Sequence, residues 1–198
     1  YFAPNPRKMN IGLFFGSFNP IHVGHLVIAE TLLLEGGLDR IWLVVSPQSP
    51  FKEKRNLAPE IDRLRMAELA TEHVHRIQPS NIEFTLPKPS YTIDTLTELT
   101  KQFPLDHKFT LLMGGDNLTH FHKWKKHDVI LEQYSIIVYP RPGAGPPAIK
   151  HENIRVVEAP QMDISATKIR QYIREHGEAH FYLPTAVHEY VIEKGLYR

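Results

Sequence analysis

The chain reads as an α/β protein, a doubly wound parallel sheet with helices on both faces. Three observations predict this. Short β-rich apolar runs alternate with helical stretches from Ile11 onward, and alternating strands and helices pack most economically as a parallel sheet covered on both sides. Residues 14–26 join a strand to a helix through a glycine-containing turn, a geometry that offers free backbone N–H groups and the positive end of a helix dipole. Each stretch carrying ligand-binding residue types follows a strand, where ligands sit in such sheets.

Residues 11–15 form the first apolar run, and residues 26–34 are apolar enough for a buried helix. Gly36-Gly37 stops that helix. Residues 40–46 read as the second strand, and Pro47 and Pro50 force an extended loop as far as Lys54. Pro59 suits a helix start, and Ile61, Leu64 and Leu69 carry the helix to about His73. Residues 81–86 read as a short strand, followed by a Pro87-Lys88-Pro89 loop. Thr92 or Asp94 can cap a helix running to Phe103.

Residues 108–113 are the next strand, ending at Gly114-Gly115-Asp116-Asn117. A short amphipathic stretch with Trp124 and a basic run follows, then a helix over 128–133 and a strand over 134–139. Residues 141–147 form a surface loop, and residues 154–157 one more strand. Ser165 can cap a helix running to about His176, and the last helix begins near Pro184 and ends at Gly195.

At 198 residues the chain supports one good core, expected as a single domain over 9–198. Residues 1–8 carry two prolines and no periodicity, and read as an N-terminal extension or expression remnant. The formal net charge of +1 suggests neither a nucleic-acid nor a membrane surface. Phosphate binding must therefore come from local groups. The absence of cysteine excludes a disulfide scaffold and cysteine–zinc sites. No apolar run approaches the ~18 residues of a transmembrane helix, and no signal peptide is visible, so a cytoplasmic location is expected. Twelve histidines raise a metal reading. However, no His-Glu-x-x-His spacing accompanies His73 and His75 or the group His120, His122 and His127. Solvated surface histidines are expected, with no metal site built from the chain.

The run Gly16-x-Phe18-x-Pro20-x-His22-x-Gly24-His25 resembles the phosphate-binding signature of the nucleotidylyltransferase superfamily. Residues 164–170, Ile-Ser-Ala-Thr-Lys-Ile-Arg, resemble its Ile-Ser-x-Thr-x-Ile-Arg box. Hydroxyls and N–H groups at a helix start, with an arginine a turn later, make a second anion clamp. Two further segments narrow the resemblance to nicotinate and nicotinamide mononucleotide adenylyltransferases. They are Tyr91-Thr92-Ile93-Asp94-Thr95-Leu96 and Met113-Gly114-Gly115-Asp116-Asn117, with Trp124-Lys125 shortly after.

That resemblance implies a Rossmann-like nucleotidylyltransferase fold and adenylyl transfer from ATP to nicotinate mononucleotide, giving nicotinate adenine dinucleotide and pyrophosphate. His22, His25 and Arg170 would be catalytic. Gly16, Ser17, Phe18, Gly24, Gly114, Asp116, Ser165 and Thr167 would bind ATP. Lys52, Tyr91, Thr92 and Trp124 would bind the pyridine nucleotide, with Trp124 stacking on its ring. Mg²⁺ would arrive on the ATP phosphates. Phe51 stands where the family's loop commonly has histidine, Asn19 where it has aspartate and Ala166 where it has a second serine. Lys52 could equally be a solvated lysine beside Lys54. Nicotinamide mononucleotide or phosphopantetheine as acceptor, and a non-catalytic nucleotide sensor, are the alternative readings. The oligomeric state stays open, a homodimer included.

Overall fold

A computed structural model describes residues 8–48, 57–103, 107–141 and 149–198. Six strands form one sheet: β1 (Met9–Gly16), β2 (Arg40–Val45), β3 (Ile77–Ser80), β4 (His107–Gly114), β5 (Ser135–Tyr139) and β6 (Ile154–Val156). Their order is β3-β2-β1-β4-β5-β6 and every pair is parallel. Among the described residues, seven helices accompany them: α1 (Val23–Glu35), α2 (Glu60–Thr71), α3 (Thr92–Gln102), α4 (Gly115–Thr119), α5 (His127–Gln133), α6 (Ala166–His176) and α7 (Thr185–Glu193).

Buried on both faces, the central strands are near-continuous apolar runs. In β1, Ile11 and Leu13 face one core layer and Phe14 the other. The first layer holds Leu96 and Leu99 of α3 with Phe121 and Ile130. The second holds Leu32 and Leu33 of α1, Met66 of α2, Ile169 of α6 and Val187 of α7. The order in which strands are added reverses between β1 and β4, which lie side by side at the centre. A crevice opens beyond the carboxyl ends of strands at such a reversal, so Gly16 and Gly114, each the last residue of its strand, border it.

One strand differs from the sequence reading. Residues 81–86 are not a strand. The strand is Ile77–Ser80, and Ile82–Thr85 is a 3₁₀ turn. Ile82 and Phe84 are partly buried against the core from this tight turn. Pro79 is tolerated in β3 because β3 is the sheet's edge. At α3, neither Thr92 nor Asp94 is the cap residue; Tyr91 holds that position and Thr92 opens the helix.

Candidate active site

The turn after β1 is shaped by a buried aromatic ring. Phe18 adopts φ 44°, in the left-handed region, and its side chain is buried. Its ring lies under Gly16, where a Cβ would come within 2.8 Å of it. Phe18 can therefore offer a ligand only its backbone. His22 follows in extended conformation as the N-cap of α1, and His25 is the third residue of the helix. The imidazoles stack, with centroids 3.7 Å apart and planes at 28°.

The backbone N–H of His22 donates to Nδ1 of His25 at 3.2 Å. A neutral His25 ring then carries its proton on Nε2. Gly24 keeps this arrangement open, because a Cβ there would sit 3.1 Å from Nδ1 of His22. His22 is itself buried, and its Nδ1 has no hydrogen-bond partner among the described residues. Burial, with the Arg141 guanidinium adding to it, lowers the His22 pKa from 6.5 to about 4. The ring is therefore neutral at physiological pH, a hydrogen-bond donor through one nitrogen and not a cation.

Another part of the cleft lining comes from α6. Ser165 is its N-cap, and its Oγ accepts from the Lys168 N–H at 3.3 Å. Arg170, one turn into the helix, donates from Nη1 to the Asn19 carbonyl at 2.8 Å and from Nη2 to Thr167 Oγ1 at 3.3 Å. The side-chain Oδ1 of Asn19 accepts from the Ala58 N–H at 3.0 Å and from the Tyr197 hydroxyl at 2.8 Å. Asn19 thus joins the turn after β1, the segment before α2, α6 and the carboxyl end.

Beyond β4, Asp116 is half exposed and pairs with Arg141 at 3.3 Å. Gly114 leaves room for that pair, since a Cβ there would meet Asp116 Oδ1 at 2.5 Å and Arg141 Nε at 2.8 Å. Arg141 also donates to the Tyr139 hydroxyl at 3.1 Å. At α3, Lys125 lies 4.7 Å from the Tyr91 ring centroid and 2.9 Å from Asp94. These contacts tie the segment carrying Trp124 to the start of α3. The Trp124 ring packs 5.5 Å from Phe121.

The His22–His25 turn, Asn19, Ser165, Thr167, Arg170, Asp116, Arg141, Tyr91 and Trp124 line one cleft of about 770 Å³. Every sequence-predicted site residue borders it except Lys52, which lies, with Phe51, outside the described residues. Sequence reasoning missed Arg141 and Glu83. Arg141 follows β5 and could have been found by the strand-end rule that located the other sites. Glu83 is fully buried and accepts from the Ser90 and Thr95 hydroxyls, each at 2.8 Å, behind Tyr91. It carried no signal, because its neighbours read as a strand. Among the described residues, no three histidines or carboxylates are grouped to hold a metal ion.

Residues 13–172 match the cytidylyltransferase-like family model, and the chain is a member of that class of nucleotide-transferring proteins. A probable nicotinate-nucleotide adenylyltransferase of Cytophaga hutchinsonii is 46% identical over 190 residues, 96% of this chain and 98% of that protein. One of Bacteroides thetaiotaomicron is 41% identical over 190 residues, covering 94% and 93%. Within its class, the chain belongs to the nicotinate-nucleotide adenylyltransferase family. Among solved structures, the Plasmodium falciparum nicotinic acid mononucleotide adenylyltransferase complexed with NaAD superimposes with a TM-score of 0.77 at 18% identity, covering 96% of this chain and 98% of that one. This last likeness bears on the fold.

Proposed function

We propose that the chain transfers the adenylyl group of ATP to nicotinate mononucleotide. The observation that carries this is the meeting, in one cleft, of the His22–His25 turn, the Arg170 clamp and the Tyr91–Trp124 wall. An oxygen of the mononucleotide 5′-phosphate attacks the α-phosphorus of ATP. The bond from that phosphorus to the oxygen bridging to the β-phosphate breaks, and pyrophosphate leaves with that electron pair. The nucleophile is already an anion, so no strong base and no covalent enzyme intermediate is needed. Alignment of reactants accounts for much of the rate, on the order of 7–11 kcal/mol in well-oriented systems.

His25 Nε2–H and the neutral His22 ring donate to oxygens of the reacting phosphate as charge builds, assisted by Ser17 and the backbone of Gly16, Phe18 and Gly24. Ser165, Thr167 and Arg170 hold the β- and γ-phosphates, for which Arg170 exchanges the Asn19 carbonyl for a phosphate oxygen. Gly114 and Asp116 border the adenosine. Trp124 stacks on the pyridine, whose carboxylate meets the N–H groups at Tyr91 and Thr92. Lys52 is assigned to the same substrate by resemblance alone.

The three carboxylates lining the cleft are engaged, Asp116 by Arg141, Glu83 by two hydroxyls and Asp163 by Lys168. The residues thus fit a divalent ion delivered on the triphosphate, as part of the substrate, and no step is routed through it. No helix among the described residues is long and apolar enough to cross a membrane, and we read the protein as cytoplasmic. The test is pyrophosphate release from ATP with nicotinate mononucleotide, nicotinamide mononucleotide and phosphopantetheine in parallel. Preference for the first is expected; preference for either of the others overturns the assignment.

A further inference from the structure

The largest fully buried side chain is an arginine that does not touch the cleft. Arg63, in the first turn of α2, is 1% exposed. Its partners are four backbone carbonyls. Nη1 donates to Ser17 O and to Ser46 O, each at 2.7 Å; Nη2 donates to Pro47 O at 3.0 Å; Nε donates to Ala58 O at 2.9 Å. No carboxylate hydrogen-bonds to it among the described residues. Burial lowers its pKa below the ordinary arginine value. A buried guanidinium without a bonded carboxylate is expensive to place. The loops it grips are the ones after β1 and β2, whose Ser17, Phe18, Ser46 and Gln48 line the cleft, whereas Arg63 itself does not.

Peptide geometry gives that grip a direction. In a trans peptide the C=O and the following N–H point opposite ways. Anchoring Ser17 O on Arg63 therefore turns the Phe18 N–H away from the guanidinium, and anchoring Pro47 O does the same for the Gln48 N–H. Neither N–H has an acceptor among the described residues. We propose that Arg63 is a positioning residue that holds the Phe18 and Gln48 amides facing the cleft as two fixed donors for the substrate phosphates. It acts through the backbone and touches no substrate. Arginine suits this task where lysine does not. Its planar fork sets several donors in fixed directions, whereas an ammonium is a single point of charge.

This inference rests on reading the cleft as a triphosphate site, and the experiment separates the two. The full chain labelled with ¹⁵N is titrated with inorganic tripolyphosphate, and the same preparation is assayed for pyrophosphate release. The Phe18 and Gln48 amide resonances are expected to shift and saturate together. A preparation that turns over while both amides stay unmoved overturns the role of Arg63 and leaves the reaction standing. A preparation that binds tripolyphosphate but transfers no adenylyl group overturns the reaction. In Arg63→Lys, with native circular dichroism, kcat should fall on the order of 10- to 100-fold, as small misplacements of reacting groups do. The KM for nicotinate mononucleotide should change less than about twofold, since Tyr91, Thr92 and Trp124, which are proposed to hold its ring, are not among the residues Arg63 bonds. Equal losses in both constants, or wild-type kcat, overturn the proposal. Should Arg63→Lys not fold, the amide titration of the unaltered protein decides.

Discussion

Burial removes His22 from its ordinary titration, and this has consequences for both rate and stability. With the pKa lowered from 6.5 to about 4, the ring stays neutral through the range of any routine assay. The kcat/KM profile of the free enzyme should show no ionisation near 6.5 attributable to His22. His22→Ala should lower kcat by on the order of 10²–10³, the usual loss of one transition-state donor, with a small rise in the KM for ATP; steady-state pyrophosphate release measures both. The stability effect has a definite sign. Above pH 6.5 the ring is neutral in the folded and unfolded chains alike. As pH falls from 6.5 toward 4, the unfolded chain takes up a proton that the folded one refuses. Stability should therefore decline by up to about 3 kcal/mol across that window. Urea unfolding at stepped pH should show a shallower decline in His22→Asn. An equal slope in the two proteins would count against a depressed His22.

Among the elements, α6 and the turn into α1 carry the most specific expectations. Ser165 caps α6 through its hydroxyl, so Ser165→Ala should destabilise the protein by about 1 kcal/mol and raise the KM for ATP, both readable from thermal melts and kinetics. Gly24→Ala presses a methyl against the His22 ring. It should reduce kcat more than it reduces the melting temperature. The sequence made these two elements legible because their signals are local. A glycine turn, two histidines three apart and a serine ahead of an amphipathic helix all lie within a few residues of one another. The strand misplaced at 81–86 had no such help. Its true position, 77–80, is set by pairing with β2, where Ile77 lies opposite Ile41 and Ser80 opposite Val44. Pro79 masked it.

On the scale of the whole molecule, the cleft is held by contacts between residues far apart in the chain. Arg63 spans 46 positions to reach Ser17, Arg170 spans 151 to reach Asn19, and Tyr197 spans 178 to reach the same residue. No periodicity announces a lone arginine or tyrosine that works by folding back. That is why Arg63 and Tyr197 escaped the reading that found His22, His25 and Arg170. Tyr197 is partly buried, and its phenol pKa is raised, first by desolvation of the hydroxyl. Tyr197→Phe removes the 2.8 Å hydrogen bond that the phenol donates to Asn19 Oδ1. It should destabilise by about 1 kcal/mol, the typical worth of such a hydrogen bond, and should also slow turnover, because Asn19 holds Arg170 through its carbonyl. Melting and activity assays on one preparation check both. The tether also means that tension reaches the chemistry early. A tweezers experiment pulling at the last residue would load the Tyr197–Asn19 hydrogen bond before any strand of the sheet, and turnover should stop at a force the β-sheet still withstands.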